Sequence, residues 1–258
     1  MSAATPFSVI IPARFASTRL PGKPLRLIAG KTMIEWVYAA ARASGGARVV
    51  VATDDARIEA AVEAFGGEAC LTAPEHTSGT ERLSEVVRRL QLGDEEIVVN
   101  LQGDEPLMPP QLLQQVATLL QQRPQAEMAT LCTPIRSYSE LVNPNVVKVV
   151  TDCNDYALYF SRAPIPWDRD HFLHHGETLP PAVTHLRHLG LYSYRGSFLR
   201  NYPESRPSPL EQRESLEQLR LLWLGGKIAV AEALQLPGPG VDTEEELLRV
   251  AQQLERAL

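Results

Sequence analysis

Short β-favouring apolar runs alternate with segments of helical period through the first half of the chain, and that alternation admits few folds. Residues 8–11 form the first run, followed by a loop rich in Arg, Ser, Thr, Pro and Gly up to Lys23. From 32 to 44 the apolar residues Met33, Trp36, Val37 and Ala40 recur at helical spacing until Gly45-Gly46 stops them. The cycle repeats with a strand at 48–53, a helix over 55–65, a short strand at 68–71, a helix over 80–90 and a strong strand at 97–101. Parallel strands need such crossovers, so the spacing predicts an α/β fold with a mainly parallel sheet flanked by helices. Ligands of open α/β sheets gather at the carboxyl ends of the strands, where the loops beginning at Arg14, Ser78 and Gln102 should converge.

After a helix over 110–122 the pattern turns β-rich, with runs at 128–134, 146–151, 157–162 and 188–194. These runs could enlarge the sheet or form a smaller lobe, placed at roughly 128–205 of a single domain spanning 1–258. Between them, 164–181 is rich in Pro, His and charge and reads as a surface excursion or lid. A helix over 209–224, a strand at 228–233 and a helix over 244–258 complete the chain.

The formal net charge of −6 argues against a surface built to coat nucleic acid, while leaving room for a local basic pocket that takes a small anion. Cys70, Cys132 and Cys153 form no CxxC pair, which fits a reducing compartment and offers no zinc pattern. Residues 1–12 lack the basic leader and cleavage pattern of an export signal, and no apolar run approaches the roughly 20 residues of a membrane span. A soluble, cytoplasmic protein is expected.

Three constellations carry chemistry. Pro12-Ala13-Arg14-Phe15-Ala16-Ser17-Thr18-Arg19-Leu20-Pro21-Gly22-Lys23 packs Arg14, Arg19 and Lys23 into a loop at a strand terminus. Such a loop can neutralise a polyphosphate while its backbone N–H groups supply directional hydrogen bonds, although an exposed basic loop has the same composition. It has neither the Walker order nor GxGxxG. His76-Thr77-Ser78-Gly79-Thr80-Glu81-Arg82 opens a helix; Ser78 and Glu81 fit a capping box, and Gly79, Thr80 and Arg82 could serve a nucleotide. Asn100-Leu101-Gln102-Gly103-Asp104-Glu105-Pro106 places Asp104 where a strand end meets solvent. A Mg²⁺ bound to phosphates needs only one or two protein carboxylates, and Asp242 in Gly240-Val241-Asp242-Thr243 is the natural second. Thr243 and Glu246 also form a capping-box pattern, so Asp242 could instead assist a helix start. His171, His174 and His175, with Asp168 and Asp170, have no recognised ligand spacing and read as a solvated loop.

Taken in order, the motifs resemble 3-deoxy-manno-octulosonate cytidylyltransferases, also called CMP-Kdo synthetases. The resemblance runs from Ile10-Ile11-Pro12-Ala13-Arg14 and Ser17-Thr18-Arg19-Leu20-Pro21-Gly22-Lys23 through Val51-Ala52-Thr53-Asp54-Asp55, Ser78-Gly79-Thr80-Glu81-Arg82 and Gln102-Gly103-Asp104-Glu105-Pro106. It continues through Tyr159-Phe160-Ser161-Arg162, Arg187-His188-Leu189-Gly190-Leu191-Tyr192, Leu216-Glu217-Gln218-Leu219-Arg220 and Gly240-Val241-Asp242-Thr243. It implies a nucleotide-diphospho-sugar transferase-like fold, CTP and Kdo as substrates, Mg²⁺ as cofactor, a role in lipopolysaccharide synthesis, and a homodimer whose contacts come largely from the later segments. By the same resemblance Arg14, Arg19 and Lys23 would hold the phosphates, Ala13, Ser78, Thr80 and Arg82 would surround the nucleotide, and Gln102 would lie by the cytidine. Asp104 and Asp242 would hold the metal, and Arg14 and Lys23 would join them in catalysis. Arg162, His188, Tyr192, Glu217 and Gln218 would hold the sugar.

The expected reaction is in-line attack of the anomeric hydroxyl on the α-phosphorus of CTP with loss of pyrophosphate. The rival expectations are transfer to another acidic sugar and a non-catalytic CTP-binding module.

Overall fold

The computed structural model of the protein describes residues 6–16, 19–76, 78–174, 176–181 and 184–256. Ser17 and Thr18 of the opening loop, Thr77 of the second constellation and His175 of the histidine group lie outside the described residues.

β1 (Phe7–Ala13) runs into the opening loop, which ends in a 3-10 turn over Lys23–Leu25 and a hairpin of β2 (Leu27–Ile28) and β3 (Lys31–Thr32). Ala29 and Gly30 both have positive φ, the backbone a two-residue hairpin turn requires. Then follow α1 (Met33–Ala43), β4 (Arg48–Thr53), α2 (Ala56–Ala64), β5 (Glu68–Leu71), α3 (Gly79–Arg89), β6 (Ile97–Asn100) and α4 (Pro110–Gln122). The second half contains β7 (Met128–Pro134), α5 (Tyr138–Val142), β8 (Lys148–Thr151), β9 (Ala157–Ser161), α6 (Arg169–His174), β10 (Leu186–Arg195) and α7 (Gly196–Asn201). α8 (Pro209–Glu214), α9 (Gln218–Trp223), β11 (Ile228–Glu232) and α10 (Glu244–Glu255) finish the chain.

The main sheet runs β11-β7-β10-β6-β1-β4-β5. β1 is parallel to β4 and β6, β4 to β5, and β7 to β11, whereas β10 is antiparallel to both β6 and β7. Its central strands are apolar on both faces because each face is covered. Val9, Ile11, Val51 and Val99 meet α1 and α4 through Met33, Val37, Leu112 and Val116; Ile10, Val50 and Val98 meet α3 through Leu83, Val86 and Val87. This double burial removes the polar alternation of a half-exposed strand and leaves the continuous runs seen in the sequence.

The β-rich segment at 128–205 is continuous with the main sheet. β7 and β10 hydrogen-bond within it, and β8 and β9 extend it as an antiparallel ribbon from the start of β10. The helix expected over 209–224 is two helices. Ser215 takes a left-handed φ of 51°, and the Leu216 N–H donates to the Glu211 carbonyl at 3.2 Å, ending α8. Arg220 of α9 reaches back to Glu211 of α8 with two hydrogen bonds of 2.6 and 2.7 Å, which locks the break in place.

Candidate active site

The opening loop is folded onto itself by local contacts. The Gly22 N–H donates to the Phe15 carbonyl at 3.2 Å, and Gly22 sits at φ 65°, so the chain turns sharply into the 3-10 turn that begins at Lys23. The Arg57 guanidinium lies 3.4 Å from the centre of the Phe15 ring, anchoring the loop to α2.

The loop after β6 is pressed against the end of β1. A Cβ added to Gly103 would stand 2.8 Å from the Pro12 carbonyl oxygen, so glycine permits the approach that delivers Asp104 beside Lys23. From the far end of the chain, the Val241 N–H donates to the Asp104 carbonyl at 2.8 Å and brings Asp242 alongside. Thr243 caps α10 with Glu246 in a full capping box, while the Asp242 side chain turns to the site. Thus the capping box leaves the neighbouring Asp242 carboxylate free to pair with Lys23.

Lys23 Nζ lies 2.6 Å from Asp104 Oδ2 and 3.0 Å from Asp242 Oδ1, and Arg19 Nη2 lies 2.9 Å from Asp242 Oδ2. Burial works to deprotonate Lys23, but the charges and hydrogen bonds of Asp104 and Asp242 outweigh it and hold the ammonium above its ordinary pKa. Next to this cluster, burial, reinforced by the Asp104 charge, pushes the Glu105 carboxyl up to about 8. Two carboxylates focused on one cation are hard oxygen donors of the kind a divalent ion takes. Among the described residues no group of three or more His, Cys, Asp or Glu side chains gathers around such a point.

Two adjoining cavities open at the carboxyl ends of the parallel strands. The larger, about 440 Å³, is lined by Ala13, Arg14, Arg19, Lys23, Ser78, Asp104 and Asp242. The smaller, about 240 Å³, is lined by Thr80, Asn100, Tyr192, Tyr194, Tyr202 and Gln218. Gly79, Gln102 and Glu217 line both. The larger cavity is cationic on one side, with the amino end of α3 adding partial positive charge. The smaller is uncharged except for Glu217.

Arg82, Arg162 and His188 line neither of these two cavities. Arg82 is fully buried, with Nη2 donating to Asp54 Oδ2 at 2.7 Å and Nη1 to the Thr72 hydroxyl. Arg162 donates to the carbonyls of Glu214 and Pro144 at 2.7 and 2.9 Å, pinning the break between α8 and α9. His188 is buried, shares a 2.9 Å hydrogen bond with Thr130, and packs against Phe160 and Tyr192; burial lowers its pKa to about 3, so the imidazole is neutral. These three hold the walls from behind. Sequence reading missed Asn100, Tyr194 and Tyr202. Tyr194 was within reach of it, since it follows Tyr192 by two residues on one strand and so shares its face.

The cytidylyltransferase family matches residues 8–228 of the chain. A 3-deoxy-manno-octulosonate cytidylyltransferase of Halorhodospira halophila is 57% identical over 249 residues, covering 96% of this chain and 97% of the relative. One from Pseudomonas fluorescens is 57% identical over 96% of this chain and 98% of the relative. Among solved structures, a CMP:2-keto-3-deoxy-manno-octonic acid synthetase complexed with CTP superposes with a TM-score of 0.88 at 44% identity, covering 98% of this chain and 100% of that one. A 4-diphosphocytidyl-2C-methyl-D-erythritol synthase from Anaerococcus prevotii shares the fold, with a TM-score of 0.61 at 12% identity over 97% and 99% of the two chains.

Proposed function

The chain belongs to the 3-deoxy-manno-octulosonate cytidylyltransferase family, and from that premise we propose that it joins Kdo to CMP taken from CTP, releasing pyrophosphate. The observation that carries this reading is the adjacency of the two cavities: a cationic compartment with paired carboxylates shares Gly79, Gln102 and Glu217 with a compartment of hydroxyl-binding groups. The first suits a nucleoside triphosphate and the second a hydroxylated acceptor, with the reacting atoms beside the residues the two share.

In this mechanism the acceptor's anomeric oxygen forms a bond to the α-phosphorus as the bond to pyrophosphate breaks, and the hydroxyl proton is lost. No protein nucleophile is needed; the chain's part is positioning and charge neutralisation. Arg14, Arg19 and Lys23 bind the phosphates and take up negative charge as it moves to the leaving pyrophosphate. Ser78 and the N–H groups at the start of α3 face the same anion. Tyr192, Glu217 and Gln218 hold the acceptor's hydroxyls. Arg82, Arg162 and His188 keep these walls in place. Asp104 and Asp242 fit Mg²⁺, which when bound would supply Lewis-acid charge to the phosphate oxygens. When nucleotide arrives, the phosphates offer Lys23 a new partner in place of the carboxylates.

Lys23→Ala should lower kcat/KM for CTP by about 10- to 100-fold, the effect of losing a charge-assisted contact, as read from initial rates at saturating Kdo. Unchanged use of CTP would remove Lys23 from the phosphate site. The acceptor is tested by product mass when CTP is paired with Kdo, amino-substituted Kdo or sialic acid; CMP-Kdo is the expected product, and preference for another sugar would move the specificity.

The protein would supply activated Kdo for lipopolysaccharide synthesis from the cytoplasm as a homodimer. No helix among the described residues is long and apolar enough to cross a membrane.

A further inference from the structure

Thr80 stands in the nucleotide-side motif, yet its hydroxyl is committed elsewhere. It is buried at 4% exposure and donates to Glu217 Oε2 at 2.6 Å. A hydroxyl has one proton, so that donor is spent on the carboxylate. Asn100 and Tyr194 line the smaller cavity together with Thr80 and Glu217, so this contact lies in its wall. Glu217 sits on the connector between α8 and α9, two residues after the left-handed Ser215, and caps no helix with its side chain. A carboxylate on so short a connector has many rotamers, and the bond from α3 selects one. The selected position is at the wall common to both cavities.

We infer that Thr80 is a positioning residue for the acceptor: it fixes Glu217 where the nucleotide and acceptor compartments meet. This inference rests on the reading of the smaller cavity as the acidic-sugar compartment. A fixed carboxylate accepts hydrogen bonds from sugar hydroxyls and repels the sugar's own carboxylate. It therefore favours the binding orientation in which the acid group points away from Glu217. Thr80 thereby links the helix that faces the triphosphate to the residue that faces the sugar.

The test is steady-state kinetics of Thr80→Val, which keeps the side chain's shape and removes the hydroxyl, beside Thr80→Ser, which retains it. Thr80→Val is expected to raise KM for Kdo about tenfold while KM for CTP stays within about twofold; Thr80→Ser should restore the wild-type KM for Kdo. In a double-mutant cycle with Glu217→Ala, which removes the acceptor, the two losses should be strongly non-additive, since Thr80 acts only through that carboxylate. Equal melting temperatures for the variants and wild type identify the kinetic change as local. A raised KM for CTP with unchanged KM for Kdo would make Thr80 a nucleotide contact and overturn the inference, as would additive losses in the cycle. Wild-type protein inactive on Kdo would overturn the acceptor reading itself, whereas active wild type with an indifferent Thr80→Val would overturn the positioning role alone.

Discussion

Asp104→Asn is expected to lower kcat by about a thousandfold while leaving the fold intact. The substitution keeps the shape of the side chain, and the backbone contact from Val241 to the Asp104 carbonyl does not involve the carboxylate. What it removes is one of the two negative charges focused on the Lys23 ammonium. That pair is the feature that suits a divalent ion, whose charge stabilisation of a transferring phosphoryl group is worth several kcal/mol; about 4 kcal/mol corresponds to the thousandfold figure. Turnover at saturating CTP, Kdo and Mg²⁺, with circular dichroism to verify folding, measures the effect. A folded Asp104→Asn variant with near-normal magnesium-dependent turnover would remove the carboxylate pair from the chemistry.

The second large effect falls on stability. Arg82→Met is expected to cost about 3 kcal/mol of folding free energy, because it leaves Asp54 facing a buried site without its partner. Arg82 is fully buried and Asp54 is largely so. Burial draws the guanidinium below its ordinary pKa, and the Asp54 charge opposes that effect. Urea unfolding of Arg82→Met, and of the double variant in which Asp54→Leu removes the stranded charge, separates the two contributions; the double variant should recover part of the loss. If Arg82 instead touched the nucleotide directly, Arg82→Met would keep its unfolding midpoint and lose affinity for CTP.

The parallel sheet was legible because its strands are buried on both faces and separated by helices of clear period. The break at Ser215 was hidden, since neither Gly nor Pro marks it and a left-handed serine is stabilised by contacts made only after α9 docks on α8. For the same reason Glu217 and Gln218 read as ordinary helix positions by spacing alone. The opening loop and the strand-end Asp104 stood out in the sequence by their charge and place, and the fold brings Lys23 and Asp104 together. Pairing Asp104 with Asp242 across the length of the chain required the tertiary contact at Val241. Arg82 sits in a motif with surface-like composition, and only the fold reveals that its guanidinium is an internal strut. Family resemblance supplied the residues proposed for the sugar, and the structure divides them between those that line the smaller cavity and those behind it.

The most direct measurement is the initial rate of pyrophosphate release from CTP, with and without Kdo and Mg²⁺, joined to mass analysis of the sugar product. Release that requires both Kdo and Mg²⁺ and yields CMP-Kdo in equal amount is the expected result. CTP left intact in the complete mixture, or pyrophosphate released at the same rate without Kdo, would contradict CMP transfer as the work of this site.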